Sequence, residues 1–197
     1  MSSAPLYGLL LTGGASQRMR QDKAALAYRG EPQLLRAWRL LTAVTERTFV
    51  SVRDSQRDDP LRSGLPQIVD SYDAIGPAAG ILSAQDRYPD AAWLVLACDL
   101  PLLDASTLKQ LIDARDPSTD ATVFTSSHDG LPEPLCAIWE PSSHTLLQQR
   151  YEAGSYCPRK ALLQSRIVQL PAPGAALDNV NTPEEREAMQ QRLESLA

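Results

Sequence analysis

The chain has 197 residues, of which 43% are hydrophobic, and it carries a formal net charge of -5. This length suits one α/β domain, and the acidic balance excludes proteins that hold nucleic acid or anionic lipid through a broad basic face. The three cysteines, Cys98, Cys136 and Cys157, lack C-x-x-C spacing and predict neither a disulfide framework nor a zinc site. We therefore expect a cytoplasmic protein that contacts neither nucleic acid nor a membrane.

The first half of the sequence alternates apolar strand patterns with amphipathic helix patterns. Residues 6–11 form a continuous apolar run, which predicts a strand buried on both faces and is too short for a membrane span. After Pro32, apolar residues recur at helical spacing from Leu34 to Val44. We predict further strands at 48–52, 67–69 and 93–97, and further helices at 77–87 and 104–114.

The second half of the sequence is less regular. A polar turn at 127–130 joins strand patterns at 121–125 and 135–139, which fit either a hairpin or a longer excursion. We predict helices at 142–153, 158–164 and from Pro183, and a strand at 167–170. Strands that alternate with helices at this spacing predict a single-domain, three-layer α/β/α fold with a mostly parallel, doubly wound, Rossmann-like sheet. Such sheets bind ligands at the carboxyl ends of strands, where Thr12 and Asp99 lie.

The loop after the first strand, residues 11–23, combines two glycines and small residues with three cations. Gly13 and Gly14 allow backbone N–H groups to approach phosphate oxygens, and Arg18 and Lys23 supply positive charge. A polar surface turn with chance charges is the alternative, but the position after a buried strand favours phosphate binding. The segment matches neither the P-loop motif nor the dinucleotide-binding motif.

Asp99 places a carboxylate just after the apolar strand pattern at 93–97. Magnesium ions prefer oxygen ligands, keep several waters and bridge phosphate oxygens, so one carboxylate beside a triphosphate is sufficient to hold one. The alternative is a structural residue, a helix cap or a turn before Pro101. We predict that Asp99 is a Mg²⁺ ligand.

The loop also carries a recognisable motif, because G-G-x-S-x-R-M-x-x-D-K at 13–23 resembles the signature of nucleotidyltransferases with a GT-A-type fold. Within them the chain is similar to the molybdenum cofactor guanylyltransferases, and the likeness extends in order through 68–71, 76–80, 98–101, 133–135 and 179–185. At two positions the chain departs from the family. Arg20 replaces a usual glycine, and Ser51 replaces an Asn that often contacts the base, which leaves the choice of base open.

The resemblance implies a nucleotide site and a set of catalytic residues. Arg18, Lys23 and Asp99 are expected to act in catalysis, with Asp99 also binding the metal. Asp70 is expected to contact the base or ribose, although an ordinary Asx turn would also explain it. The stretch 76–80 is expected to form a base-binding loop. A helix start with Pro77 near its first position would explain the same residues almost as well. The expected nucleotide-binding residues are Leu11, Thr12, Gly13, Gly14, Ser16, Lys23, Ser51, Asp70, Gly76, Gly80 and Asp99.

Acceptor binding is expected in the second half. Asn179 and Asn181 alternate, so on an extended segment both amides point to one face, where they could orient acceptor phosphates or metal-bound water. Arg159 and Lys160 could pair with a phosphorylated acceptor, with a solvated basic pair as the alternative. Thr182 and Glu185 predict a capping box for the last helix.

The resemblance implies one nucleotidyltransferase domain over 1–197, with a nucleotide-binding half at 1–115 and an acceptor-binding half at 116–197. The implied reaction uses Mg²⁺ to transfer GMP from GTP to molybdenum-bearing molybdopterin, releasing pyrophosphate, with transient contacts to other molybdenum cofactor proteins. The alternatives are a molybdopterin cytidylyltransferase, a sugar-phosphate nucleotidyltransferase, and an inactive nucleotide-binding accessory protein.

Overall fold

Strands and helices alternate along the chain in the computed structural model, which describes residues 3–12, 23–28, 30–72, 75–180 and 182–195. The strands are β1 (Leu6–Leu11), β2 (Ala27–Tyr28), β3 (Glu31–Pro32), β4 (Arg47–Val52), β5 (Gln67–Val69), β6 (Ala92–Ala97), β7 (Ala121–Thr125), β8 (Pro132–Trp139) and β9 (Ile167–Leu170). The helices are α1 (Gln33–Thr42), α2 (Pro77–Arg87), α3 (Ala105–Asp113), α4 (Ser143–Glu152), α5 (Pro158–Leu162) and α6 (Pro183–Ser195).

A seven-stranded sheet lies at the centre, in the order β5-β4-β1-β6-β8-β7-β9. Every strand of it runs in one direction except β8, which is antiparallel to both of its neighbours. The short strands β2 and β3 form a separate antiparallel pair. The prediction of a mostly parallel α/β sheet is therefore confirmed.

Helices cover both faces of the sheet because side chains on each strand alternate between two apolar clusters. On β1, Leu9 and Leu11 point into the cluster that includes α2, α4 and α5. Leu6 and Leu10 point to the opposite face, where they pack with α1 and α3. Successive strand residues point to opposite faces, so a continuous apolar run is what a strand buried on both sides requires. The three-layer arrangement is confirmed.

The strand order reverses between β1 and β6. From β1 the chain proceeds to β4 and β5 on one side, then returns to place β6 against the other side of β1. Leu11 pairs with Ala97, so these two strands end at the same level. In doubly wound sheets a crevice opens at such a switch point, outside the carboxyl ends of the strands. Thr12 and Asp99, predicted to lie at strand ends, flank this crevice.

The second half contains the main differences from the predicted elements. β7 and β8 form a hairpin, which resolves the alternative left open by the sequence, and β8 begins at Pro132 rather than at 135. A register shift between Val123 and Thr125 allows this earlier start by bringing Thr125 opposite Pro132. The pair β2 and β3 was not predicted, since strands of two residues carry no alternation pattern.

The last helix packs beside the switch point through a third apolar cluster. Met189 and Leu193 of α6 contact Leu26, Tyr28 and Val180. The helix begins with the predicted capping box: the Glu185 N–H donates to Thr182 Oγ1 and the Thr182 N–H donates to Glu185 Oε2, both at 3.2 Å. No helix within the described residues has the length and apolar character needed to cross a membrane.

Candidate active site

A cavity of about 190 Å³ opens at the carboxyl ends of β1, β4 and β5, beside the start of α2. Predicted nucleotide-binding residues line it, namely Leu11, Ser51, Asp70, Gly76 and Gly80. These positions are spread over 70 residues of sequence, and the parallel sheet brings them together because its strands all end on the same side. We call this cavity the nucleotide pocket.

Ser51 and Asp70 form the polar wall of the nucleotide pocket. Ser51 is buried at the end of β4, and its Oγ donates to Asp70 Oδ1 at 2.7 Å. Burial raises the pKa of Asp70, while the hydrogen bond from Ser51 and the positive charge of Arg53 act in the opposite direction. Asp70 therefore lines the pocket as a hydrogen-bond acceptor that Ser51 anchors on one oxygen, and its contact with the nucleotide stays a prediction.

Gly76 and Gly80 are required for different reasons. Gly76 precedes α2 with φ of 66° and ψ of -143°, a conformation that disfavours residues with a side chain. Gly80 lies where α2 approaches the sheet: a β-carbon there would be 2.7 Å from Leu11 Cδ2 and 3.0 Å from Ser51 Cβ. The missing side chain at Gly80 thus lets the helix pack directly against two residues that line the pocket.

We expect Gly80→Ala to destabilise the protein and to disturb the pocket. Alanine gains about 1 kcal/mol of helix propensity over glycine, but overpacking a dense core costs about 1–3 kcal/mol. The steric cost should win because Ser51 cannot move without breaking its bond to Asp70. We expect a fall in Tm of about 2–8 °C for a net loss of about 1–2 kcal/mol, together with a higher KM for the nucleotide.

Thermal unfolding followed by circular dichroism and steady-state kinetics measure both effects. The control is Gly64→Ala, because no atom lies within 4 Å of a β-carbon added at Gly64. We expect that variant to keep the Tm and KM of the wild type. A Gly80→Ala protein as stable as the Gly64→Ala control would contradict the close packing of α2.

Asp99 lies two residues beyond β6, on the other side of the switch point from the nucleotide pocket. The N-cap of α3 is Asp104, which accepts from the Thr107 N–H, so Asp99 does not cap that helix. Asp99 lies in a turn before Pro101, as its structural alternative expects, and its role as a metal ligand stays a prediction. The Val180 N–H donates to the Asp99 carbonyl at 3.3 Å and brings the segment of Asn179 against it. Asn179 is exposed there. The structure therefore brings a predicted metal ligand and a predicted acceptor ligand to one edge of the sheet.

The pKa of Tyr28 depends on the charges of Asp99 and Arg186. Burial raises the pKa of Tyr28, the positive charge of Arg186 lowers it, and the negative charge of Asp99 raises it. Asp99 and Arg186 therefore act on the Tyr28 hydroxyl in opposite directions. Arg186 belongs to the first turns of α6 and was not singled out in the sequence, where it resembles any helix-surface arginine.

Asp99 is the carboxylate that we predict to bind Mg²⁺. Among the described residues, no group of three or more His, Cys, Asp or Glu side chains could hold a metal ion. A zinc site needs such a protein cage, whereas Mg²⁺ is commonly held by one or two carboxylates, with substrate phosphates and waters as the other ligands. The assignment of Mg²⁺ to Asp99 stays a prediction.

Several predicted site residues lie outside the described part of the chain. They are Gly13, Gly14, Ser16 and Arg18 of the loop, together with Arg20 and Asn181. Lys23 begins a short 3-10 helix, Lys23–Ala25, but its side chain is also outside the description. The roles assigned to these residues remain predictions, supported by the position of Thr12 at the switch point.

Arg159 and Lys160 lie on α5, next to the turn between β7 and β8. Arg159 forms ion pairs with Asp129 at 2.7 Å and with Glu133 at 2.9 Å. Lys160 is exposed. An anionic acceptor would therefore have to compete with two carboxylates for Arg159. Of the two predicted acceptor contacts, we favour Lys160 for this reason.

Arg62 is a site residue that the sequence analysis missed. It is 1% exposed, and its guanidinium lies against Thr12, with Nε 3.1 Å from Thr12 Oγ1 and Nη2 3.2 Å from the Thr12 carbonyl oxygen. Thr12 is itself buried, and its Oγ1 donates to the Ser51 carbonyl at 2.7 Å. No local pattern marks Arg62 as buried, because it belongs to a loop rich in Arg and Asp.

The chain is similar in sequence to proteins of known family. A family model described as MobA-like NTP transferase domain matches residues 8–168. Over 187 residues the chain is 37% identical to a molybdenum cofactor biosynthesis bifunctional protein of Synechocystis sp., covering 94% of this chain and 54% of that protein. Over 188 residues it is 33% identical to a molybdenum cofactor guanylyltransferase of Pseudomonas fluorescens, covering 93% and 92%. The chain thus spans about half of the bifunctional protein and most of the guanylyltransferase.

A solved structure shares the fold. The molybdopterin-guanine dinucleotide biosynthesis protein A of Archaeoglobus fulgidus superposes with a TM-score of 0.81 at 20% identity, covering 96% of this chain and 99% of that one. At this level of identity the likeness concerns the arrangement of strands and helices.

Proposed function

Because the chain belongs to the family of MobA-like NTP transferase domains, a nucleotidyltransferase family, we propose that it transfers GMP from GTP to molybdenum-bearing molybdopterin and releases pyrophosphate. The observation that carries the proposal is the nucleotide pocket at the switch point, with the Ser51-anchored carboxylate of Asp70 in its wall. The similarity to a protein named molybdenum cofactor guanylyltransferase supports the choice of substrates.

The chemistry of the pocket wall favours guanine over cytosine. Guanine presents two adjacent donors, N1–H and N2–H, and a carboxylate is an acceptor-only group that pairs well with two donors. Ser51 donates its hydroxyl hydrogen to Asp70, so that hydrogen is not available to a base. Cytosine offers one amino donor beside acceptors, which would leave this acceptor-rich wall poorly matched.

The proposed reaction needs no protein nucleophile. An acceptor phosphate oxygen, already ionised near neutral pH, attacks the α-phosphorus of GTP. A new phosphoanhydride bond forms as the bond to the β-phosphate oxygen breaks, and the electron pair leaves with pyrophosphate. Catalysis then depends on alignment and on neutralising the leaving charge.

The chain's own residues divide these tasks. Arg18 and Lys23 are assigned to the phosphates of GTP. Asp99 would hold a magnesium ion, which when bound supplies charge neutralisation at the phosphate oxygens. Asn179 and Asn181 are assigned to orienting the acceptor, with Lys160 and Arg159 as candidate contacts for its phosphate. GTP and molybdopterin are then the small-molecule partners, and contacts with other molybdenum cofactor proteins would deliver and remove the acceptor.

A nucleotide panel tests the proposal. Pyrophosphate release is measured with GTP, CTP, UTP and ATP, each with Mg²⁺ and molybdenum-bearing molybdopterin. We expect release with GTP to exceed that with CTP by about 10-fold or more, since one hydrogen bond to a charged group is worth about 1.5–3 kcal/mol.

Three other outcomes are informative. Release mainly with CTP would replace the guanine assignment with a cytidylyltransferase. Release only with a sugar phosphate as acceptor would replace the molybdopterin assignment. GTP binding without release under any acceptor would indicate an accessory protein rather than an enzyme.

A further inference from the structure

Arg62 is a charged side chain that the fold buries almost completely. It is 1% exposed, and each of its three guanidinium nitrogens donates to an oxygen: Nε to Thr12 Oγ1 at 3.1 Å, Nη2 to the Thr12 carbonyl at 3.2 Å, and Nη1 to Asp59 Oδ1 at 2.9 Å. Removing a cation from water is costly unless its donors have partners, and these three hydrogen bonds occupy three of the five N–H groups of the guanidinium. Two of these three hydrogen bonds go to Thr12, so the Arg62 side chain fixes the position of Thr12.

Thr12 is the residue at which β1 ends and the predicted phosphate-binding loop begins. Its hydroxyl accepts from Arg62 and donates to the Ser51 carbonyl at 2.7 Å, and its carbonyl accepts from Arg62 as well. Both polar groups of Thr12 thus have defined partners. Ser51 in turn anchors Asp70 in the nucleotide pocket. Thr12 therefore connects the end of β1 to the wall of the nucleotide pocket, and Arg62 holds Thr12 through two hydrogen bonds.

A second, partly buried arginine lies at the opposite end of β1. Arg115 donates to the Ala4 carbonyl at 2.9 Å, just before β1, and pairs with the buried Glu140 at 2.6 and 3.0 Å. Arg115 and Arg62 therefore hold the two ends of β1 in chemically similar ways. They differ in position, since only Arg62 contacts the end of β1 at the switch point.

We propose that Arg62 is a positioning residue that fixes Thr12 beyond the end of β1 and, through the hydrogen bond from Thr12 to the Ser51 carbonyl, keeps the nucleotide pocket in shape. The inference rests on the proposed nucleotide site but on no particular base. A guanidinium suits this task because its planar fork directs three donors at once, whereas a lysine ammonium is a point charge on a flexible stem. Since transfer depends on the alignment of phosphates, a small displacement of Thr12 should affect turnover as well as binding.

The test compares Arg62→Lys with Arg115→Lys in the full chain. Both variants replace a fork by a point charge at one end of β1, and both should lower Tm, by about 5–10 °C if a few kcal/mol are lost. Only Arg62→Lys should also change catalysis, with KM for the NTP raised and kcat lowered, each by about tenfold. Arg115→Lys should keep both constants within about twofold of the wild type.

Equal losses of Tm with unchanged KM and kcat in Arg62→Lys would overturn the proposal and leave Arg62 a purely structural residue. If Arg62→Lys does not fold, the proposal is tested with Asp59→Asn instead. Asp59 accepts a hydrogen bond from Arg62 Nη1 and is 35% exposed, so it can be replaced without opening the core. We expect Asp59→Asn to raise KM by about threefold and to lower Tm less than Arg62→Lys does, because asparagine can still accept the hydrogen bond but no longer neutralises the buried guanidinium; a wild-type KM would overturn the proposal.

The nucleotide used is the one that the wild type binds most tightly in a calorimetric titration with GTP, CTP, UTP and ATP. Tightest binding of a nucleotide other than GTP would refute the guanine assignment alone, and the Arg62 comparison would proceed with that nucleotide. Absence of binding by every nucleotide would overturn both proposals.

Discussion

Asp99→Asn should reduce kcat about a thousandfold, since charge stabilisation by a metal at a phosphate is worth several kcal/mol and about 1.4 kcal/mol corresponds to a factor of ten. Asparagine has nearly the same shape but lacks the negative charge that a magnesium ion requires. The dependence of pyrophosphate release on Mg²⁺ concentration should weaken at the same time. Single-turnover assays over a Mg²⁺ titration measure both quantities.

Asp104→Asn is the matched control for this variant. Asp104 lies five residues downstream of Asp99 and caps α3, where its Oδ1 accepts from the Thr107 N–H at 2.8 Å. Asparagine is as good an N-cap as aspartate, so this variant removes the same charge without breaking the helix. We expect wild-type turnover from it. Wild-type turnover from Asp99→Asn as well would exclude Asp99 as the metal ligand.

Asp70→Asn should lower kcat/KM for GTP by roughly 10- to 150-fold, the equivalent of about 1.5–3 kcal/mol for hydrogen bonds to a charged acceptor. An amide offers one acceptor and one donor group, so it can still accept from Ser51 but opposes the paired donors of guanine. Activity with CTP should fall less than activity with GTP. Equal losses with both nucleotides would show that Asp70 contacts the ribose rather than the base.

The same variant should be more stable than the wild type at neutral pH. Burial raises the pKa of Asp70 above its ordinary 3.8, so the folded protein binds this proton more tightly than the unfolded chain does. The stability contributed by the protonated form is therefore complete below the ordinary pKa and is lost as pH rises through the folded pKa. Asparagine avoids that loss, so the gain in Tm should be present at pH 7 and vanish toward acid pH.

Thermal unfolding of Asp70→Asn and of the wild type across pH 3–7 checks the stability difference. Asp54→Asn serves as the control because its carboxylate is 84% exposed, and surface substitutions change stability by only about 0.5 kcal/mol. A variant that is less active yet more stable is the signature expected of a carboxylate buried for function. A lower Tm at pH 7 would contradict it.

Local sequence patterns were sufficient for most of the fold. Apolar runs such as 6–11 and 93–97 predict strands buried on both faces, and the Thr182 to Glu185 spacing predicts a capping box that the structure confirms. The start of β8 was placed too late because a register shift between Val123 and Thr125 has no local signature. The positions of Thr12 and Asp99 just beyond strand ends were predicted in the same way, because both residues come after strong strand patterns.

The remainder of the site depends on partners that are distant in sequence. Arg62 and Thr12 are 50 residues apart, and Ser51 and Asp70 are 19 apart, so no window of periodicity or spacing includes both members of a pair. Whether an arginine is solvated or buried is decided by the oxygens that the folded chain places around it. The space available at Gly80 likewise depends on where the sheet packs against α2.

The sequence by itself therefore determined the α/β class, the strand ends that carry Thr12 and Asp99, and the motif between Gly13 and Lys23. Those features follow from side-chain alternation and local conformational preference, which each segment expresses without its neighbours. Only the tertiary structure decided that Ser51 anchors Asp70 and that Arg62 holds Thr12, because a buried polar group is stable only where distant segments supply its hydrogen-bond partners.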